Sequence, residues 1–313
     1  MNSLPLISVI MPVYNEERWL DQSISSILNQ SFRDFEFIIL NDASKDCSID
    51  IINKYLSVDS RIKLFNNREN YGLVKTLNKG IDLARGKYIA RMDADDVSFP
   101  ERLNIQIRFL KQNPEIQFVG TGSEVTNDSG ERLKTDNTKY VPPILVKWCL
   151  IFKNVFTHGS IMCQSEMLKK NSYAQWAANG EDYELWARLK DNYRMSIIPD
   201  ILYRRRSHAN NISHKNSKSL RKIGYTISNM QMERYLGKNY DKSLSGYLIN
   251  CKLKKNRDFK SLVKAILLLN ELLRRFIEAN KLNVDEENTL LKWTRRYRLE
   301  IVRRQLLKTI FKI

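Results

Sequence analysis

The sequence predicts an α/β fold, a mostly parallel sheet covered by helices on both faces. Two observations carry this. Short apolar runs alternate with stretches of helical period through the first 120 residues, the arrangement expected of strand–helix–strand units. The turns that follow the apolar runs are polar or acidic one after another, as at the ligand-binding edge of such a sheet, outside the carboxyl ends of its strands.

Strands are expected at residues 7–11, 35–40, 62–65, 88–90 and 118–119, and helices at 19–29, 49–56, 73–84 and 99–112. The apolar opening from Leu4 to Val13 has no basic stretch before it and runs directly into Asn15-Glu16-Glu17, so it reads as a buried strand rather than a leader peptide. Gly86 reads as the C-cap of the third helix, and Ser98-Phe99-Pro100-Glu101 as a capping box with proline in the first turn of the fourth. Asp46 reads as a helix N-cap. Residues 121–146 are turn-rich and interrupted by Pro142-Pro143, residues 177–190 return to helical period, and from about residue 213 the chain is helical and rich in Lys and Arg. No repeat of ~20–50 residues is visible, which argues against a solenoid.

Composition limits the options further. Apolar residues make up 42% and charged residues 28% of the 313, so a packed protein rather than a disordered one is expected. The net charge of +17 is unevenly placed: residues 1–200 carry 25 Lys+Arg against 26 Asp+Glu, and the remaining 113 carry 27 against 9. The excess lies in the C-terminal part, which is therefore expected to seek phosphates of nucleic acid or of an anionic leaflet. Cys47, Cys149, Cys163 and Cys251 form no CxxC pair, which argues against a zinc or redox motif and for free thiols in a reducing compartment. No run reaches the ~18 apolar residues of a membrane span.

Four polar clusters close the strands: Pro12-Val13-Tyr14-Asn15-Glu16, Asn41-Asp42-Ala43-Ser44, Asn70-Tyr71-Gly72 and Asp93-Ala94-Asp95-Asp96. In the last, two carboxylates flank one residue in an exposed turn. A hard cation such as Mg²⁺ or Mn²⁺ wants oxygen ligands and commonly bridges carboxylates to substrate phosphates; capping of the next helix by Asp95 or Asp96 is the plainer alternative.

In this order the motifs closely resemble the family 2 glycosyltransferases of the GT-A fold, strongly over residues 5–110 and more loosely to 213. The resemblance implies a GT-A domain at 1–213 with a basic helical region at 214–313. It implies an inverting transfer of a sugar from a UDP-sugar or another nucleotide sugar to an acceptor hydroxyl, with Mn²⁺ or Mg²⁺ as cofactor, in cell-surface polysaccharide assembly. Residue by residue, Pro12, Tyr14 and Glu16 line the base and ribose. Asp42 takes the uracil-reading position, where Ala43 replaces the family's glycine. Asn70 and Lys75 lie beside the nucleotide, Asp93 faces the ribose, and Asp95 holds the metal. Glu181-Asp182 matches the family's E-D motif, with Asp182 as catalytic base and Glu181 raising its basicity by like-charge repulsion. Tyr203 to Ser213 is similar to a Y-R-x-H-x-x-x-x-S segment, which makes His208 a second metal ligand. The Arg204 to Arg206 cluster has the chemistry to pair with phosphate. His158 is either an acceptor-pocket residue or a hydrogen-bonded structural one, and Trp176 either stacks on the acceptor or packs in the core.

The expected partners are a nucleotide-sugar donor and a glycan or lipid-linked acceptor. Phe259, Leu262, Val263, Ile266, Leu269, Leu273, Phe276 and Ile277 form an apolar helical stripe of the kind that packs on a core. Leu299, Val302, Leu306, Ile310 and Ile313 oppose Arg304, Lys308 and Lys312, a pattern that suits either an anionic membrane surface or intramolecular packing. The placement that follows is cytoplasmic, peripheral on the inner face of the plasma membrane. A nucleic-acid-binding protein is the contrasting class, but the basic residues form no recognisable module and leave the strand-end loops without a role, so no nucleic-acid partner is expected. A nucleotidyltransferase or a dinucleotide-binding dehydrogenase would need glycines after the first strand, and Pro12 to Glu16 contains none.

Overall fold

The structure, a computed structural model, describes residues 4–136, 139–209, 211, 216–249 and 259–311, with side chains of the last helix through 304. Cys251, Ser213, Lys312 and Ile313 lie outside the described residues, as do the side chains of Leu306, Lys308 and Ile310.

The strands are β1 (Ile7–Val13), β2 (Phe35–Asn41), β3 (Ile62–Asn66), β4 (Tyr88–Arg91), β5 (Val97–Ser98), β6 (Phe118–Thr126), β7 (Arg132–Asp136), β8 (Met162–Gln164) and β9 (Met195–Arg206). They form one sheet of order β3-β2-β1-β4-β8-β6-β9-β5, with β7 beside β6. The first four are parallel, and β8 runs antiparallel to both β4 and β6. The sheet is thus mixed. Side chains alternate across it: Ile7, Val9 and Met11 of β1 join one apolar cluster and Ile10 the other, so both faces are buried, as a helix-covered sheet requires.

Helices α1 (Glu17–Leu28), α2 (Ser48–Leu56), α3 (Leu73–Leu83) and α4 (Arg102–Gln112) fall where the periodicity places them, except at the start of α4. No capping box forms. Ser98 pairs with Tyr203 of β9 as a strand residue, and the N-cap of α4 is Glu101, which makes no side-chain cap. The sheet outcompetes the local cap because Val97 and Ser98 find a strand partner that sequence spacing does not reveal. Gly86 is not a C-cap either: α3 ends at Leu83, and a Cβ on Gly86 would stand 2.5 Å from the backbone nitrogen of Ser8. Glycine is required there by close approach to β1. Residues 121–146, expected to be irregular, hold the second half of β6 and all of β7.

The chain continues through α5 (Pro143–Cys149), α6 (Ser165–Lys169) and α7 (Glu181–Leu189) to four basic-region helices, α8 (Ser217–Leu236), α9 (Ser245–Leu248), α10 (Phe259–Asn280) and α11 (Val284–Phe311). Composition divides the chain near residue 200, yet an apolar core crosses that division. Trp148 of α5 and Phe152 pack with Leu262, Leu269, Leu272 and Phe276 of α10 and with Leu290, Tyr297 and Ile301 of α11; the Trp148 and Phe276 rings lie 5.0 Å apart. Ser228 of α8 donates to the carbonyl of Ile151 at 2.7 Å. The expected α10 stripe is shifted round the helix: Leu262, Ala265, Leu269, Leu272, Leu273 and Phe276 are buried, while Phe259 and Val263 face solvent.

Trp148 and Phe152 alone bury on the order of 10 kcal/mol of apolar surface, taking about 150–250 Å² each at about 25 cal/mol per Å², comparable with the whole net stability of a domain. A fragment ending at residue 213 is therefore expected to be insoluble or to unfold at a much lower urea midpoint than the full chain; equal midpoints would refute this.

Candidate active site

The carboxyl ends of β1, β2 and β4 face a cavity of about 980 Å³. The parallel register explains the convergence: Val13 lies opposite Asn41, and Ile10 opposite Arg91, so the loops that follow these strands leave at one edge. Of the residues nominated from sequence, Pro12, Tyr14, Glu16, Asp42, Asn70, Asp93, Asp95, Glu181 and Asp182 line this cavity. Lys75 is outside the lining, its ammonium 6.0 Å from the Tyr71 ring. His208 borders a neighbouring recess and reaches the main site through Asp95.

The first two loops are tied together. Asn15 sits in the left-handed region, donates its backbone N–H to Ser44 Oγ at 3.1 Å and accepts from the Lys45 N–H at 2.8 Å. Asp46 accepts from the N–H groups of Glu17 and Ser48, so one carboxylate serves the starts of both α1 and α2, although the N-cap positions themselves are held by Glu16 and Cys47. Ala43 adopts φ 57°, which explains why glycine suits that position in the family.

Asp42 is 3% exposed. Its carboxylate accepts from Asn67 Nδ2 at 2.7 Å and from the backbone N–H groups of Tyr71 and Gly72 at 2.9 Å each. Three donors leave room for roughly one more at a carboxylate, so Asp42 organises the Asn70-Tyr71-Gly72 turn while still facing the cavity. Gly72 has φ 83°, a conformation that favours glycine.

The three acids after β4 have different surroundings. Asp93 pairs with Arg91, takes a long hydrogen bond (3.4 Å) from the Tyr203 hydroxyl and donates its N–H to the same oxygen at 3.2 Å. Asp96 is turned inward, where its Oδ1 accepts the Arg206 N–H at 2.8 Å. Burial, then Asp95 and Asp93, hold the Asp96 carboxyl well above the usual carboxylate range. Asp95 accepts from Asn211 Nδ2 at 2.9 Å and lies 3.0 Å from His208 Nε2. Ligand atoms of Glu16, Asp95 and His208 all lie within 4.8 Å of one another. Two carboxylate oxygens suit Mn²⁺ or Mg²⁺, and an imidazole nitrogen beside them fits the softer Mn²⁺ better than Mg²⁺.

On the far side of the cavity Asp182 is the second residue of α7. Its Oδ1 accepts the Tyr183 N–H and its Oδ2 accepts Asn154 Nδ2, each at 2.7 Å. Burial first, then Glu181, push its carboxyl up to about 7, with the Tyr183 N–H, then Arg91 and Asn154, pulling the other way. Burial also raises Glu181. A carboxylate poised near neutrality is suited to general-base work. His158 Nε2 lies 2.8 Å from the Tyr173 hydroxyl, and burial, aided by Arg91, depresses its imidazole well below the ordinary range. It is the hydrogen-bonded histidine of the plainer expectation, set in the cavity wall. Trp176 does not pack in the core: it is 54% exposed and lies outside the cavity lining.

Sequence reasoning missed Arg91 and Asn154 and did not separate the three arginines. Arg91 carried a legible signal, a charge at the end of a buried apolar run, which is rare without a partner. Asn154 carried none. On β9 the arginines alternate: Arg204 pairs with Glu124 at 2.5 Å, Arg206 stacks on Trp19 and bonds the Asp95 carbonyl, and only Arg205 lines the cavity.

The sequence profile described as "Glycosyl transferase family 2" matches residues 8–208. The chain belongs to that family. Putative glycosyltransferase EpsE of Bacillus subtilis is 37% identical over 209 residues, 65% of this chain and 74% of that protein. The O-antigen biosynthesis glycosyltransferase WbnJ of Escherichia coli is 36% identical over 211 residues, 66% and 81% of the two chains. Among solved structures, S. aureus TarS in complex with UDP-GlcNAc superposes with a TM-score of 0.60 at 17% identity, covering 93% of this chain and 91% of that one. The mannosyltransferase PcManGT from Pyrobaculum calidifontis, solved with GDP-Man and Mn²⁺, gives 0.56 at 13% identity, covering 96% and 84%. This family 2 glycosyltransferase thus has the GT-A fold.

Because Asn has one acceptor oxygen in place of a carboxylate's two, Asp42→Asn sets an amide against backbone donors. It is expected to cost about 2 kcal/mol in urea denaturation and to speed amide exchange at Tyr71 and Gly72; unchanged exchange would remove Asp42 as the organiser of that turn.

Proposed function

We propose that this glycosyltransferase moves a sugar, with inversion, from a UDP-sugar to a hydroxyl of a glycan or lipid-linked acceptor during polysaccharide assembly. The observation that carries this reading is a single cavity bearing Asp93 and Asp95 from one edge and Asp182, raised to about 7, from another. UDP-GlcNAc in the TarS structure and the O-antigen biosynthesis role of WbnJ support the donor and product classes.

In this reading Tyr14 and Asp42 receive the base, Asp93 the ribose side, and Asn70 borders the nucleotide. Glu16, Asp95 and His208 would hold a divalent cation, which supplies charge neutralisation for the diphosphate. Arg205, with no ion pair among the described residues, faces the same group from β9. Asp182 takes the acceptor proton as the acceptor oxygen bonds to the anomeric carbon and the carbon–oxygen bond to the diphosphate breaks. One carboxylate suffices for inversion because the leaving diphosphate needs no proton. Asn154 and the Tyr183 N–H keep Asp182 oriented, and Glu181 keeps it basic.

A thermal-shift screen of nucleotide sugars with and without Mn²⁺ tests the assignment; no stabilisation by UDP or any nucleotide sugar under either condition would sink it. Asp95→Ala should abolish the Mn²⁺-dependent part of the shift. Asp182→Asn should keep that shift and slow transfer about 10²–10⁴-fold. Since the base acts deprotonated, wild-type transfer should fall about tenfold per pH unit below about 7 and level off above it; a pH-independent rate would exclude Asp182 as the base.

The C-terminal region is the part proposed to meet an anionic membrane surface, which would bring a lipid-linked acceptor to the cavity. No helix among the described residues is long and apolar enough to cross a membrane. Phe259, Val263 and Leu267 are exposed along α10 beside Lys260 and Lys264, and Leu299 is exposed on α11. Tyr297 and Ile301 belong to the core, so a deletion that spares the fold starts after residue 304. Removal of 305–313 should weaken sedimentation with vesicles containing anionic lipid and leave binding to neutral vesicles unchanged; undiminished anionic binding would count against this segment.

A further inference from the structure

We propose that Arg91 is a positioning residue that joins the two sides of the cavity: its guanidinium fixes Asp93 through an ion pair and sets a buried positive charge in the space that Asp182 also faces. This rests on the reading of Asp182 as the base. Arg91 ends β4, is 3% exposed and still lines the cavity. Its Nη1 meets Asp93 Oδ2, and its Nε is buried without a hydrogen-bond partner. The backbone beneath it is braced: the Arg91 N–H donates to the Ile161 carbonyl at 3.1 Å, and Arg102 Nη2 donates to the Arg91 carbonyl at 2.7 Å. The fit around its partner is tight, since a Cβ on Gly159 would come within 2.7 Å of Asp93 Oδ2 and 1.9 Å of the Tyr203 hydroxyl.

A buried guanidinium is costly, and one carboxylate neutralises it without filling its donors. Its surroundings show what the charge does. Asp182 has Glu181 beside it on α7, and Asn154, which is neutral, donates to it. His158 and Tyr173 are held neutral by burial. Asp93, Asp95, Asp96, Asp136, Glu16 and Asp42 share the cavity, against Lys153 and Arg205. Of the cavity cations Arg91 alone is buried, where charge is least screened. It opposes the upward push on Asp182 and Glu181. Without it Asp182 would hold its proton to a higher pH.

The test reads the titration of Asp182 itself in the full chain, independent of donor or acceptor. In protein labelled with ¹³C at aspartate side-chain carboxyls, the Asp182 signal is identified by its loss in Asp182→Asn. Its midpoint should move up by roughly one pH unit in Arg91→Gln and by no more than a few tenths in Arg91→Lys, which keeps the charge. An unmoved midpoint in folded Arg91→Gln, or an equal move in Arg91→Lys, would overturn the proposal. Should Arg91→Gln fail to fold, Arg91→Met, which keeps an apolar stem in the buried position without the charge, reads the same midpoint, and an unmoved one would overturn the proposal. Calorimetry of wild-type protein with UDP and Mn²⁺ separates this outcome from failure of the glycosyltransferase mechanism, since loss of UDP binding leaves the titration untouched.

Discussion

Eight carboxylates, Glu16, Asp42, Asp93, Asp95, Asp96, Asp136, Glu181 and Asp182, face one cavity with three cations, Arg91, Lys153 and Arg205, and their mutual repulsion is the constraint around which the rest of the molecule is arranged. Like charges in a partly desolvated space either find donors, take up protons or bind a cation. Each route is used. Asp42 is held by an amide side chain and two backbone N–H groups. Asp96 is buried and pushed toward its neutral form. Asp95, with Glu16 and His208, has the donor set for a divalent ion.

The supporting shell explains why these groups are held to fixed positions. Asp46 ties α1 to α2, and Gly159 lets Tyr203 reach Asp93. Asn154 follows the core residues Ile151 and Phe152, which pack against the C-terminal helices. The basic region is thereby linked through packing to the base it stands behind, whatever surface it also meets. Asp191 reinforces the junction: Lys147 of α5, Lys190 and Arg234 of α8 all lie within 3.2 Å of its carboxylate, and their combined charge outweighs its burial to hold it below the usual carboxylate range.

Much of the first half of the fold was legible because periodicity reports burial directly. Residues 7–11 and 35–40 are apolar on both alternations, and both faces of their strands are covered. β8, β9 and the second half of β6 were not, since their partners lie far away in sequence: β6 pairs with β9 across more than 70 residues, and β9 itself ends in three arginines. The same distance hid the site's finer roles. Nothing in Arg204-Arg205-Arg206 tells which arginine faces the cavity until the pleat of β9 is set against β6 and β5.

By itself the sequence determined the alternation of strands and helices over residues 1–90, the identity of the acids at the strand ends and the concentration of positive charge after residue 200. These follow from local chemistry: side-chain period, turn composition and charge. Only the tertiary structure decided that Asp96 turns inward while Asp95 turns toward His208, that Asn154 holds Asp182, and that Arg91 lies beneath the cavity as its buried cation. The reason is that a carboxylate's protonation and reach are set by neighbours brought in from other strands, and spacing along the chain carries no record of them.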